Sequence, residues 1–266
     1  MFHARNGLLR TGDAETDYVR FGHGERNLIM IPGLGDGLKT VKGMAIPFAI
    51  LYHMLAKDFT VYSFSRRRDL SPGTGTRDMA ADLAHAMEAV GIAKASVVGV
   101  SQGGMIAQWL AIDYPEMVEK LVLTVTLCRP NPTVRKVVGR WMEMARTGDF
   151  KGILIDTAEK SYSPRGIRSA VMATRLWGKI GKPKSLERFL IQAESCLAHD
   201  TFCRLEGIGC PTLVVAGADD RIVTADASRE IAAKVPGSVL KVYEGLGHGL
   251  YEEEKGFWKQ VASFCR

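Results

Sequence analysis

Residues 95–113 read ASVVGVSQGGMIAQWLAID, and the fold turns on how this stretch is read. Ala95–Val100 is a continuous apolar run of strand length, rich in valine. Met105, Trp109 and Ile112 then recur at helical spacing as far as Tyr114-Pro115, where proline's ring and missing N–H end a helix. Between strand and helix stands Gly99-Val100-Ser101-Gln102-Gly103, a G-x-S-x-G string. Alone the string carries little, since glycine-rich turns are common. On a strand-to-helix turn it carries more. Such a turn lifts the serine hydroxyl out of the sheet, the glycines avoid side-chain collisions, and the helix N-terminus favours negative charge.

The same alternation continues outward. Leu28–Ile31, Phe59–Phe64, Leu121–Leu127, Thr212–Ala216 and Val239–Tyr243 are further apolar runs, as expected of parallel strands covered on both faces. Met79, Leu83, Met87 and Val90 form a helical stripe with Thr76 as its N-cap and an end near Gly91. Ala227, Ile231 and Val235 form another, closed by Pro236-Gly237, and Phe257, Val261 and Phe264 form the last. Strand and helix in turn predict an α/β fold around a mostly parallel sheet. Residues 1–27, with turns at Gly12-Asp13 and Gly22–Gly24, predict antiparallel edge strands. From Pro130 to Leu205 the stripes are helical only: Val134, Val138, Trp141 and Ala145, then Leu186, Phe189, Leu190, Ala193 and Leu197. That interruption predicts a helical lid, residues 130–205, inserted in a core made of 1–129 and 206–266.

Composition narrows the function. The chain has 266 residues, 46% of them hydrophobic, which suits one globular domain. No apolar run approaches the roughly 18 residues of a membrane span, and Met1–Gly7 carries no leader-like apolar stretch, so a cytoplasmic location is the default expectation. The five cysteines are an odd number, which argues against a disulfide framework. Cys196, Cys203 and Cys210 lie seven apart with His199 among them, but no C-x-x-C pair accompanies them. They read as buried thiols rather than metal ligands. The net charge of +6 is uneven: from Arg129 to Arg188, 14 Lys and Arg face 5 Asp and Glu. That excess either steers anionic substrates toward the lid or solvates the outer faces of its helices. Arg66-Arg67-Arg68 is too short for a nucleic-acid patch, and no aromatic platform interleaves it.

Two later segments complete a pattern. After Thr212–Ala216 comes Gly217-Ala218-Asp219-Asp220-Arg221-Ile222-Val223, and after Val239–Tyr243 comes Gly245-Leu246-Gly247-His248-Gly249. With the Ser101 turn, these make the chain resemble the α/β-hydrolase superfamily over nearly its whole length, with the triad in that family's order of serine, acid, histidine. The resemblance implies Ser101 as nucleophile, His248 as base and Asp220 as the acid that orients it, Asp219 being the neighbouring alternative. It also implies an oxyanion hole from the backbone N–H of Gln102 and, by position in Pro32-Gly33-Leu34-Gly35, of Leu34. Many members have His-Gly where Pro32-Gly33 stands, which leaves the second donor's register open. Serine at position 101 excludes the relatives that attack through a carboxylate. No cofactor, metal or nucleic acid is implied, and the partner expected is a small-molecule ester. The expected reaction is ester hydrolysis through an acyl-enzyme. The alternatives are acyl transfer, C–C bond hydrolysis with the same triad, a ligand-binding or signalling protein with slow turnover, and an inactive relative.

Overall fold

The structure is a computed structural model that describes residues 3–12, 14–164, 166–167, 171–172 and 183–266. Its strands are β1 (Arg5–Thr11), β2 (Ala14–Gly22), β3 (Arg26–Ile31), β4 (Phe59–Phe64), β5 (Ala95–Val100), β6 (Val118–Thr124), β7 (Thr212–Gly217) and β8 (Val239–Tyr243). They form one sheet in the order β1-β2-β4-β3-β5-β6-β7-β8. β1 and β2 run antiparallel at one edge, as the first 27 residues led us to expect, and β4-β3-β5-β6-β7-β8 are parallel. Among the described helices are α1 (Ala45–Leu51), α2 (Thr76–Ala89), α3 (Gln102–Asp113), α4 (Pro132–Arg146), α5 (Phe150–Ser161), α6 (Glu187–Ala198), α7 (Ala225–Lys234), α8 (Leu250–Glu253) and α9 (Phe257–Cys265).

The inner strands are apolar throughout because both their faces are covered. Ile29, Ile31, Val97 and Leu123 pack with Leu83 of α2, Leu110 of α3 and Ile231 of α7. Their neighbours Leu28, Met30, Val98 and Val122 point the other way, onto Ala49 of α1 and Phe257 and Val261 of α9. Each such side chain, fully buried, stabilises the fold by about 1.5–3 kcal/mol before entropy is counted. A third cluster joins the helices between β6 and β7 to the sheet's carboxyl edge: Val134, Val138 and Trp141 of α4 and Phe189 and Ala193 of α6 pack with Leu34, Met105 and Ile222. The Trp141 indole N–H donates to Asp156 at 2.7 Å, which pins α4 to α5.

Three sequence expectations need correction. β6 starts at Val118 and ends at Thr124 rather than spanning Leu121–Leu127, because Val125 takes φ 44° and turns the chain. β8 is not a covered strand but the sheet's edge, with Val239 57% exposed. Thr76 does not cap α2. Gly75 is the cap, its N–H donating to Asp78 at 2.8 Å, and the buried Thr76 hydroxyl instead lies 2.8 Å from His199 Nδ1. His199 also faces Thr201 and sits edge-on to Trp109, so it fastens the chain's return from α6 to α2 and α3.

Burial pulls the His199 pKa down to about 3. The unfolded chain therefore takes up a proton here near pH 6.5 that the folded chain refuses. His199 is expected to cost up to about 1.4 kcal/mol of stability per pH unit as pH falls from about 6.5 toward 3. Urea midpoints at pH 7 and pH 4.5 check this. The wild type should lose more stability across that interval than His199→Gln.

Candidate active site

Chain order reverses at β3. The chain leaves β3 for β4 on one side and later enters β5 on the other, so the loops after β3 and β5 part and leave a crevice at the strands' carboxyl ends. A cavity of about 630 Å³ lies there, and Gly33, Leu34, Ser101 and His248 all line it.

Ser101 follows β5 directly and caps α3 with φ 55° and ψ −119°, a conformation that costs a non-glycine residue about 1–3 kcal/mol. The surroundings impose it. The Ser101 N–H donates to Thr124 at 2.9 Å, and its carbonyl accepts from the Gly104 N–H at 2.8 Å and the Thr126 hydroxyl at 2.7 Å. The turn is also too tight for side chains beside the serine. A Cβ on Gly99 would stand 2.5 Å from the Gly103 carbonyl oxygen, and one on Gly103 would stand 2.0 Å from that of Ile31.

Asp220 follows β7 and His248 follows β8, two adjacent parallel strands, and the two side chains meet. His248 Nδ1 lies 2.8 Å from Asp220 Oδ2, while Asp220 Oδ1 accepts the N–H groups of Ile222 at 2.8 Å and Val223 at 3.0 Å. Burial by itself would raise the Asp220 carboxyl. The charge and hydrogen bond of His248, together with the two backbone donors, outweigh burial and hold it below the ordinary aspartate range. Asp219 is the exposed neighbour, and its backbone N–H donates to the Leu246 carbonyl. The structure thus pairs Asp220, not Asp219, with His248.

Leu34 opens a 3-10 turn, Leu34–Gly37, and Gln102 opens α3. As first residues of helical segments, neither N–H has an intrahelical partner. The β3 loop passes close over the serine, since a Cβ on Gly33 would sit 3.3 Å from Ser101 Cβ. The Gln102 side chain turns away into a buried network with Arg66, the Gln192 carbonyl and Ser195.

The rest of the cavity wall shows what the sequence did not reveal. Phe48 comes from α1, Trp141 from α4, Ile153 and Leu154 from α5 and Phe189 from α6. The end of α5 also braces the histidine loop. The Gly249 N–H donates to the Ser161 carbonyl at 2.7 Å, and Tyr162, at the cavity wall, hydrogen-bonds Glu252. Of the basic excess, Arg188 is turned inward against Asp36, while Arg129 pairs with Glu230 and Lys160 with Asp156. Arg165, Arg168, Arg175, Lys179 and Lys182 lie outside the described residues. Cys196 is buried as expected, but Cys203 is exposed and Cys210 only half-buried. Among the described residues no group of three or more His, Cys, Asp or Glu is arranged to hold a metal ion. No described helix is long and apolar enough to cross a membrane.

The profile of the α/β hydrolase fold matches residues 26–255, and the chain belongs to that family. It is 28% identical over 236 residues to a Caulobacter segnis protein named as a carbamate hydrolase, RutD, with 85% of each chain covered. It is 30% identical over 193 residues to the 2-hydroxy-6-oxononadienedioate/2-hydroxy-6-oxononatrienedioate hydrolase of Burkholderia vietnamiensis, covering 69% of this chain and 66% of that one. Among solved structures it superimposes on the enol-lactonase of Burkholderia xenovorans LB400 with a TM-score of 0.83 at 19% identity, over 97% of this chain and 99% of that one.

The Ser101 backbone yields a stability test independent of any activity. Glycine tolerates φ 55° and ψ −119° without strain, whereas alanine does not. Ser101→Gly is expected to exceed Ser101→Ala by about 1 kcal/mol in urea unfolding. Equal midpoints would mean that the turn is not strained.

Proposed function

We propose that the chain is a serine hydrolase that cleaves carboxylic esters through an acyl-enzyme and needs no cofactor. One observation carries the reading: Ser101 stands on a strained turn in the same cavity as His248, whose Nδ1 is held by a buried aspartate. In this reading His248, with Nδ1 occupied by Asp220, takes the Ser101 proton on its other ring nitrogen as the serine oxygen attacks the ester carbonyl. Charge passes to the carbonyl oxygen, which accepts from the Leu34 and Gln102 N–H groups. The imidazolium returns its proton to the leaving alcohol as the C–O bond breaks. A water, deprotonated by His248, then releases the acid and restores Ser101. Residues 130–205 act as a lid on the core of 1–129 and 206–266. Their Trp141, Ile153, Leu154 and Phe189 supply an apolar wall that suits a small or medium acyl group.

A second reading is C–C bond hydrolysis by the same residues. It is favoured by the Burkholderia vietnamiensis relative, whose name denotes a hydroxy-oxo diacid with no ester to hydrolyse. The carbamate named for the Caulobacter relative keeps an acyl bond to a heteroatom, nearer to the ester reading. Product analysis with a matched aryl ester, aryl carbamate and β-diketone separates these, and the ester should turn over fastest.

A fluorophosphonate probe is expected to label Ser101. Ser101→Ala should abolish labelling and lower kcat by roughly 10³–10⁶-fold. Asp220→Asn should cost on the order of 10⁴ in kcat, and Asp219→Asn about tenfold or less. Intact activity in Ser101→Ala, or the reverse order of the two aspartates, would overturn the assignment.

A further inference from the structure

Behind the loops that carry Leu34 and Gln102 lies a buried cluster of charge that the reaction as written does not use. Arg66, just beyond β4, is 5% exposed. One of its nitrogens, Nη2, donates both to the Pro32 carbonyl at 2.5 Å and to Gln102 Oε1 at 2.9 Å. The first partner belongs to the loop after β3, and the second is the residue after Ser101. Gln102 Nε2 in turn donates to the Gln192 carbonyl at 2.8 Å and to Ser195 at 3.1 Å, both on α6. The Arg66 N–H donates to Asp36 at 3.1 Å, and Asp36 is clasped from α6 by Arg188 at 2.5 Å.

Stability is a poor explanation for this cluster. Arg66 Nε and Nη1, Asp36 Oδ1 and Gln192 Oε1 have no hydrogen-bond partner among the described residues. Buried ions with unfilled hydrogen-bonding capacity lose in desolvation much of what they gain in attraction. Burial draws the Arg66 pKa down to about 10 against the opposing pull of Asp36, so the guanidinium stays charged at neutral pH. What the cluster does achieve is geometric. A single nitrogen spans the two segments whose N–H groups must converge on one oxygen.

We propose that Arg66 is a positioning residue that sets the spacing of the Leu34 and Gln102 N–H groups, with α6 as its backing. The proposal rests on the serine-hydrolase reading above. Donors misplaced by an ångström lose about 100-fold in rate, and the loss falls on the charged intermediate rather than on bound substrate.

Arg66→Met is therefore expected to lower kcat about 10- to 100-fold with KM within about twofold. The rate of fluorophosphonate labelling at Ser101 should fall in the same ratio, and Arg66→Lys should recover part of both. Arg68→Met serves as a control, because Arg68 pairs with Asp17 and Glu15 at the sheet's antiparallel edge. It should lose stability and keep kcat. If Arg66→Met does not fold, Gln102→Met removes the same bridge and should give the same split between kcat and KM. Wild-type kcat in a folded Arg66→Met or Gln102→Met protein overturns the proposal, and so does an equal kcat loss in Arg68→Met. If wild-type Ser101 resists the probe, the hydrolase reading falls and takes this one with it. If wild-type Ser101 is labelled and Arg66→Met is unchanged, only the role of Arg66 falls.

Discussion

The backbone between β5 and α3 has no room for a Cβ at Gly99 or Gly103, and the site is built around that constraint. Because β3, β5 and α3 approach so closely there, Ser101 is held at positive φ and stands clear of the sheet. The same closeness brings Gly33 over the serine and sets the first N–H of α3 beside it. A side chain at either glycine would have to push the β3 loop or α3 away. The serine and the Leu34 and Gln102 peptides would then lose their present spacing.

The other half of the site depends on the parallel pairing of β7 with β8. Adjacent parallel strands end at the same edge, so the loops bearing Asp220 and His248 start side by side. The carboxylate then has three donors in a site where burial alone would raise its pKa. The helices between β6 and β7 add support from outside the sheet. α5 braces the histidine loop through Ser161, and α6 reaches the loop after β3 through Arg188 and Asp36.

Much of this is legible in sequence where local pattern and tertiary role coincide. β4, β5 and β8 match their apolar runs residue for residue, because a run of that kind has few other uses. Ser101, Asp220 and His248 are legible because each follows such a run. α1 is not, since seven residues with Pro47 inside them are too few to show a stripe. α5 mixes polar and apolar positions because Phe150 and Ile153 pack into the core while other positions line the cavity or face solvent. Arg66-Arg67-Arg68 is, in sequence, three identical charges in a row. Yet Arg67 and Arg68 pair with half-exposed acids at Asp82 and Glu15, while Arg66 is buried. Residue type cannot distinguish the three, because the partners that decide burial come from distant segments.

The central claim is that Ser101 and the N–H groups of Leu34 and Gln102 converge on one reacting centre. The most direct test is a crystal structure of the protein inactivated by a small alkyl phosphonate. Phosphorus is expected bonded to Ser101 Oγ, with one phosphonyl oxygen within about 2.7–3.1 Å of both nitrogens. An adduct on another residue, or an oxygen turned away from either N–H, would contradict it.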